Sequence, residues 1–171
     1  MYGREVFIIF TSSACFSGYA PEEFAFPLER PHEEYGALVA RINIAVIQSV
    51  LNGYLNFYCG MNRGFDIICG ETAVRLRRVA SECSRLRLIA VLPFRKHGQN
   101  WGREWKLRHN RLLEHADEVV FMGEKHHHGC LDARDCYLVD HSSLLICCRS
   151  MEDFMVEYAR YMELRIINIC E

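Results

Sequence analysis

Two glycines and an acid define the chemistry to look for first. In LNFYCGMNRGFD, residues 55–66, a short apolar run stops at Cys59-Gly60, turns through Gly64 and enters a helix behind Phe65-Asp66. A strand delivered onto a glycine turn and a helix N-terminus aims backbone N–H groups at an anion, typically a phosphate. The same glycines can serve only to reverse the chain, and Asp66 can serve only to cap the helix. Glu71, within the first two turns of that helix, is the second carboxylate able to face such a pocket, as general acid or base.

Other reactive side chains carry less. His126-His127-His128, with Cys130 and Cys136, lacks C-x-x-C or H-x-x-x-H spacing, and no metal site is expected. Cys15 and Cys59 fall near strand ends, but no histidine is tied to either, so no thiol nucleophile is assigned. The nine cysteines are odd in number and several lie in apolar runs, among them Cys69, Cys83 and Cys147-Cys148. Buried thiols in a reducing compartment fit this better than a disulfide framework.

The elements that must position these groups follow from periodicity. Val6 to Thr11 and Ala14 to Ser17 read as an apolar strand or two short pieces, followed by a loop held non-helical by Pro21, Pro27 and Pro31. Leu38, Ile42, Val46 and Val50 predict a helix over 33–51, ended by Asn52-Gly53. A strand over 54–59 leads through the glycine turn to a helix over about 65–84, its packed face marked by Cys69, Ala73, Leu76, Ala80 and Cys83. The run 86–92, closed by Pro93, predicts a strand buried on both faces. A helix opened by Trp101 and Trp105, a strand over 118–122, a helix over 131–139 and a strand over 144–148 come next. A helix marked by Met151, Phe154, Met155, Tyr158 and Met162 and a strand over 165–169 close the chain.

Strands alternating with helices imply right-handed crossovers. The expected fold is therefore a single α/β domain over 1–171: a Rossmann-like, doubly wound, mainly parallel sheet with helices on both faces. Ligands of such sheets bind beyond the carboxyl ends of the strands. Here that rim comprises 17–21, 60–66, 93–101, 123–134 and 148–150. The net charge of −2, from 20 Lys and Arg against 22 Asp and Glu, gives no global basic footprint, and nucleic acid is not expected as a partner. The N-terminal apolar run is too short for a membrane span, a signal peptide is not expected, and the protein is assigned to the cytoplasm without a membrane partner.

Taken in order, CFSGYAPEEF (15–24), FYCGMNRGFDIICGE (57–71), LIAVLPF (88–94), Trp101, LLEHADEVVFMGE (112–124), CLDARDCYLVDHSSLLICC (130–148) and VEYARYMELRIINI (156–169) resemble the YpsA-type branch of the SLOG superfamily over about 14–170. That superfamily is Rossmann-like and related to the DNA-processing protein DprA and to the LOG phosphoribohydrolases. The resemblance implies a pocket for a nucleotide or a nucleotide-derived ligand, such as ADP-ribose or an NAD fragment, with no cofactor assigned.

Matched residue by residue, it places ligand-binding positions at Ser17, Gly18, Tyr19, Gly60, Met61, Gly64, Asp66, Glu71, Pro93, Trp101 and Arg134. Where the family has T-G-H-R-P the chain has Ser17-Gly18-Tyr19-Ala20-Pro21, without the basic pair. Where the family has a G-G-T turn the chain has Cys148-Arg149-Ser150, followed by the acidic pair Glu152-Asp153. LOG-type phosphoribohydrolysis is therefore not expected, and a sensing or regulatory role is preferred to catalysis. A hydrolase cleaving an N-glycosidic or phosphoester bond with Glu71 or Asp66, and a ligand-free scaffold with a decayed pocket, are the alternatives. A homo-oligomer is left open.

Overall fold

A computed structural model describes residues 12–170, so the strand expected over Val6 to Thr11 lies outside the described residues. Six strands, β1 (Ser12–Gly18), β2 (Tyr54–Cys59), β3 (Arg87–Leu92), β4 (Glu118–Phe121), β5 (Leu144–Cys148) and β6 (Arg165–Asn168), form one parallel sheet in the order β4-β3-β2-β1-β5-β6. Five helices connect them: α1 (Glu33–Leu51), α2 (Phe65–Val79), α3 (Arg103–His115), α4 (Cys130–Asp140) and α5 (Phe154–Tyr161).

The central strands are apolar because both faces are covered. Ala14, Phe16, Phe57, Leu88 and Ile146 point into a core closed by α1, α2 and α3. Cys15, Ile89, Val91, Leu145 and Cys147 point the other way, into a core closed by α4 and α5. This is the two-sided burial expected of a doubly wound sheet. Helix α1 is long and apolar enough to cross a membrane, yet Leu38, Ile42, Val46 and Val50 pack in the sheet's core, as in a buried helix of a globular domain.

Two expectations are corrected. The helix predicted over 65–84 stops at Val79: Ala80 turns extended (φ −114°, ψ 119°), and Ser81–Cys83 forms a separate 3-10 turn. That turn still delivers Cys83 to the core, which is why the spacing read as one helix. The cysteines are not all thiols, because Cys148, at the end of β5, is disulfide-bonded to Cys170, with Cα atoms 5.0 Å apart. The register sets Ile169 N–H on Cys147 O, which carries Cys170 alongside Cys148. Cys15, Cys59, Cys69, Cys83 and Cys130 remain buried thiols.

The chain runs from β1 outward to β4, then α4 carries it back so that β5 joins the other side of β1. Order reverses at β1 and β5, whose ends are level, Gly18 opposite Cys148. A doubly wound sheet opens its ligand crevice at this reversal.

Candidate functional site

At the reversal lies a cavity of about 250 Å3 lined by Gly18, Ala20, Glu23, Asn62, Arg63, His97, Trp101, Leu131 and Arg149. Each wall comes from a different carboxyl-end connection. The end of β1 and its loop supply Gly18, Ala20 and Glu23, the β2 loop Asn62 and Arg63, the β3 loop His97 and Trp101, the first turn of α4 Leu131, and the β5 loop Arg149.

The glycine turn does not present an empty helix N-terminus. Asp66 is 3% exposed, and its carboxylate accepts the Gly18 N–H at 3.2 Å and the Asn62 N–H at 3.4 Å. The Phe65 N–H is given to Tyr19 O at 3.1 Å. Of the first-turn donors that could meet a phosphate, the Phe65 and Ile67 N–H groups thus meet carbonyls of the protein itself, the latter Asn62 O at 3.3 Å. Burial pushes the Asp66 carboxyl up to about 6, while the Arg134 and Arg149 charges pull it down.

Gly64, the cap residue, has φ +93°, and a side chain there would run into Tyr19 O. A Cβ on Gly18 would overlap the ring of Phe65. Both glycines let the β1 loop lie directly on the start of α2.

Arg134 is turned inward. It is 1% exposed and donates to Gly60 O at 2.6 Å, Asn62 Oδ1 at 3.2 Å and Asp135 Oδ1 at 2.8 Å. It ties α4 to the glycine turn from behind and does not line the cavity. Burial raises the Asp135 carboxyl, and Arg134 opposes the shift.

The cation that does line the cavity is Arg149. Its Nε donates to Ser17 Oγ at 2.7 Å and its Nη1 to Asp153 at 3.1 Å. Asp153 also caps α5 by accepting the Met155 N–H at 3.0 Å. The acidic pair after β5 therefore does not simply repel an anion, because Asp153 is spent on Arg149 and on the cap. Arg63, paired with Glu22, is the second cation of the cavity.

Trp101 and His97 form the opposite wall, in an edge-to-face cluster with His109: ring centroids lie 5.0 Å apart for His97–Trp101 and 5.3 Å for Trp101–His109. His97 is 7% exposed, and its Nε2 has no hydrogen-bond partner among the described residues. Burial, reinforced by the charge of Arg134, pushes its pKa down to about 3, so the ring is neutral.

Of the residues expected in the site, Gly18 and Trp101 line the cavity. Ser17, Gly60, Gly64, Asp66 and Arg134 form a connected layer behind it, Met61 is buried at φ +60°, and Pro93 is buried beyond the end of β3. Tyr19 packs edge-on against Phe24. Glu71 stands elsewhere, between α2 and α3, bound at both oxygens by Arg108 at 2.9 and 2.6 Å. Reading the sequence alone missed Arg63, His97 and Arg149. Position offers a signal for Arg149, the first residue after β5 and so adjacent to the reversal.

Cys15 is buried, with its thiol pushed up to about 12, and burial raises the Cys59 thiol further, so neither is a ready thiolate. Among the described residues no group of three or more His, Cys, Asp or Glu is placed to hold a metal. His126 instead packs edge-on against Phe94, and His127 contacts His128 O.

Together, the all-parallel doubly wound sheet and the cavity at its strand-order reversal define a Rossmann-like α/β fold with a candidate ligand site at the usual place. The model of the YspA SLOG family, YpsA, matches residues 14–162, and the chain belongs to that family. No curated protein matches the sequence significantly.

Among solved structures, DNA processing protein A from Streptococcus pneumoniae is similar at TM-score 0.59 and 15% identity, over 91% of this chain and 49% of that one. The Helicobacter pylori protein, in a structure described for its single-stranded DNA binding mode, is similar at TM-score 0.54 and 14% identity, over 91% and 65%. The chain thus spans about half to two thirds of these proteins, and at such identity the likeness establishes the fold. It also corrects the expectation that nucleic acid is no partner. A protein with this fold has a described mode of binding single-stranded DNA, and net charge says nothing of how charge is distributed.

Proposed function

We propose that the protein binds an anionic, nucleotide-bearing ligand in the cavity at the β1–β5 reversal and acts as a sensor rather than a catalyst. The observation that carries this reading is the convergence of Arg149, Arg63, Trp101 and His97, whose Nε2 lacks a partner among the described residues, on one cavity. Guanidinium groups suit phosphate oxygens, the indole offers a face for a base, and the buried imidazole nitrogen needs a donor. Ser17, Gly60, Gly64, Asp66 and Arg134 hold these groups in place from behind.

The volume of about 250 Å3 is below the ~300–1,000 Å3 of drug-sized sites, so a mononucleotide suits it better than an intact NAD or ADP-ribose. Asp66 and Glu71 are both engaged within the protein, which leaves catalysis by either unsupported. A second reading, favoured by the Helicobacter pylori neighbour, has the cavity take one nucleotide of a single strand.

Thermal shift against nucleoside mono- and triphosphates, ADP-ribose and NAD tests the reading. A ligand present at about 100 times its Kd should add about 2.7 kcal/mol, and the double substitution R63A/R149A should erase the shift. Equal stabilisation of parent and R63A/R149A would sink the proposal.

A further inference from the structure

A second basic feature lies away from the cavity. Helices α2 and α3 run parallel and touch at Gly70 and Leu112, then leave between them an open groove of about 700 Å3. Each wall is a helical stripe at i, i+3, i+4, i+7: Glu71, Val74, Arg75 and Arg78 from α2, and Arg108, Arg111, Leu112 and His115 from α3. Val74 and Leu112 make an apolar floor, and the adjoining Val79 is 69% exposed.

The charge of this groove is one-sided. Glu71, its single carboxylate, is consumed by Arg108. Arg75 reaches only Asn43 Oδ1, while Arg78 and Arg111 make no ion pair or side-chain hydrogen bond among the described residues. Residues 71–115 hold eleven Arg and Lys against four Asp and Glu, net +7, in a chain of net charge −2. Arg75, Arg78 and Arg111 are exposed and have no carboxylate partner among the described residues, so they concentrate uncompensated positive charge along the groove.

We propose that the α2–α3 groove is a docking surface for the sugar–phosphate backbone of a single-stranded nucleic acid. Guanidinium forks take phosphate oxygens at two points each and lay their planes against bases, which ammonium groups cannot do; the groove lining carries four Arg and no Lys. Its concave section and apolar floor admit a flexible strand with its bases and sugars turned inward. A duplex would rest on the rims only. No Phe, Tyr or Trp lines the groove, so binding should be largely indifferent to sequence. With Arg75, Arg78 and Arg111 as the phosphate contacts, log K should fall with log salt at a slope of about −2, or about 20-fold between 50 and 200 mM.

The test is fluorescence anisotropy of the full chain with a labelled oligothymidylate of about 20 nucleotides across that salt range. The parent should bind with that slope. R78E/R111E should weaken binding at least about tenfold and flatten the slope, with the melting temperature and any mononucleotide shift at the cavity unchanged. R75Q/R78Q serves as a second variant, should charge reversal disturb folding. R63A/R149A should bind the oligonucleotide within about twofold of the parent, which separates this groove from the cavity. Absence of oligothymidylate binding at low salt, or binding that R78E/R111E and R75Q/R78Q both leave intact, overturns the proposal. Equal binding of a duplex, or of an oligoglutamate peptide of matched charge, also overturns it, in favour of a general polyanion patch or an acidic protein partner.

Discussion

Replacing Arg134 separates a structural role from a ligand role most sharply. Its guanidinium is 1% exposed and satisfies Gly60 O, Asn62 Oδ1 and Asp135 at once. In R134M the methionine fills most of the space, but the Asp135 carboxylate, whose side chain is 17% exposed, loses its cation and Gly60 O loses a donor. Breaking a buried pair from one side costs about 3–5 kcal/mol, a large share of the ~5–15 kcal/mol holding a domain together. At about 2–4 °C per kcal/mol for a domain of this size, the melting temperature should fall by roughly 6–20 °C.

R134M/D135L removes both charges, and should recover much of that loss because an apolar pair carries no unpaired ion. Denaturant titration of the three proteins provides the free energies, and calorimetry the midpoints. If R134M melts within about 2 °C of the parent yet no longer responds to any nucleotide, Arg134 belongs to the ligand, and the reading of it as an internal clamp is wrong.

Three further substitutions test the packing around the cavity. Gly18→Ala places a methyl group on the Phe65 ring and should cost about 1–3 kcal/mol by urea denaturation; an unchanged midpoint would show that the β1 loop moves freely off α2. Asp66→Asn leaves one of the two N–H groups of Gly18 and Asn62 facing an amide donor, and should cost about 1–3 kcal/mol at pH 7 by urea denaturation; an unchanged midpoint would show that the carboxylate does not hold the two loops together. His97, held neutral with a pKa of about 3, is a base whose folded pKa lies below its unfolded value of 6.5. The unfolded chain therefore takes up the proton first, and the His97 contribution to stability is lost as pH falls below 6.5. By pH 5 that loss should be about 2 kcal/mol relative to His97→Leu, a pairwise comparison that cancels the opposite trend of Asp66, whose pKa of about 6 favours the fold as it protonates. Parallel pH profiles of parent and variant would refute the assignment.

The sheet and most helices were legible because local periodicity and burial agree. Leu38, Ile42, Val46 and Val50 step at helical spacing and all reach the core, and 144–148 is apolar throughout because both faces of β5 are covered. The end of α2 was not legible: a 3-10 turn keeps Cys83 on the face that a continued helix would have used. In the site, the stretch 55–66 reads as a glycine turn entering a helix, and it is one, but the bonds it makes were hidden. Nothing in the spacing says that Asp66 folds back onto Gly18 and Asn62, because Gly18 lies 48 positions away in sequence and is brought there only by the pairing of β1 with β2. Arg134 and Arg149 look alike on paper. Only packing tells them apart, since one lies beneath Gly60 and the other flanks the crevice.

The strand order also bears on how the chain reaches this state. β1 lies in the middle of the sheet, and its partner on one side, β5, follows far behind: Cys15 meets Leu144 across 129 positions. At about 5–20 residues per second, a ribosome leaves the β5 side of β1 uncovered for roughly 6–26 s after β1 emerges. During that interval β1 to β4 can pair, but the apolar edge of Ala14, Cys15 and Phe16 stays open to any other strand in reach. Yield during synthesis should therefore depend on how fast the segment up to β5 arrives, and slow codons between 100 and 144 should harm it more than slow codons after 150.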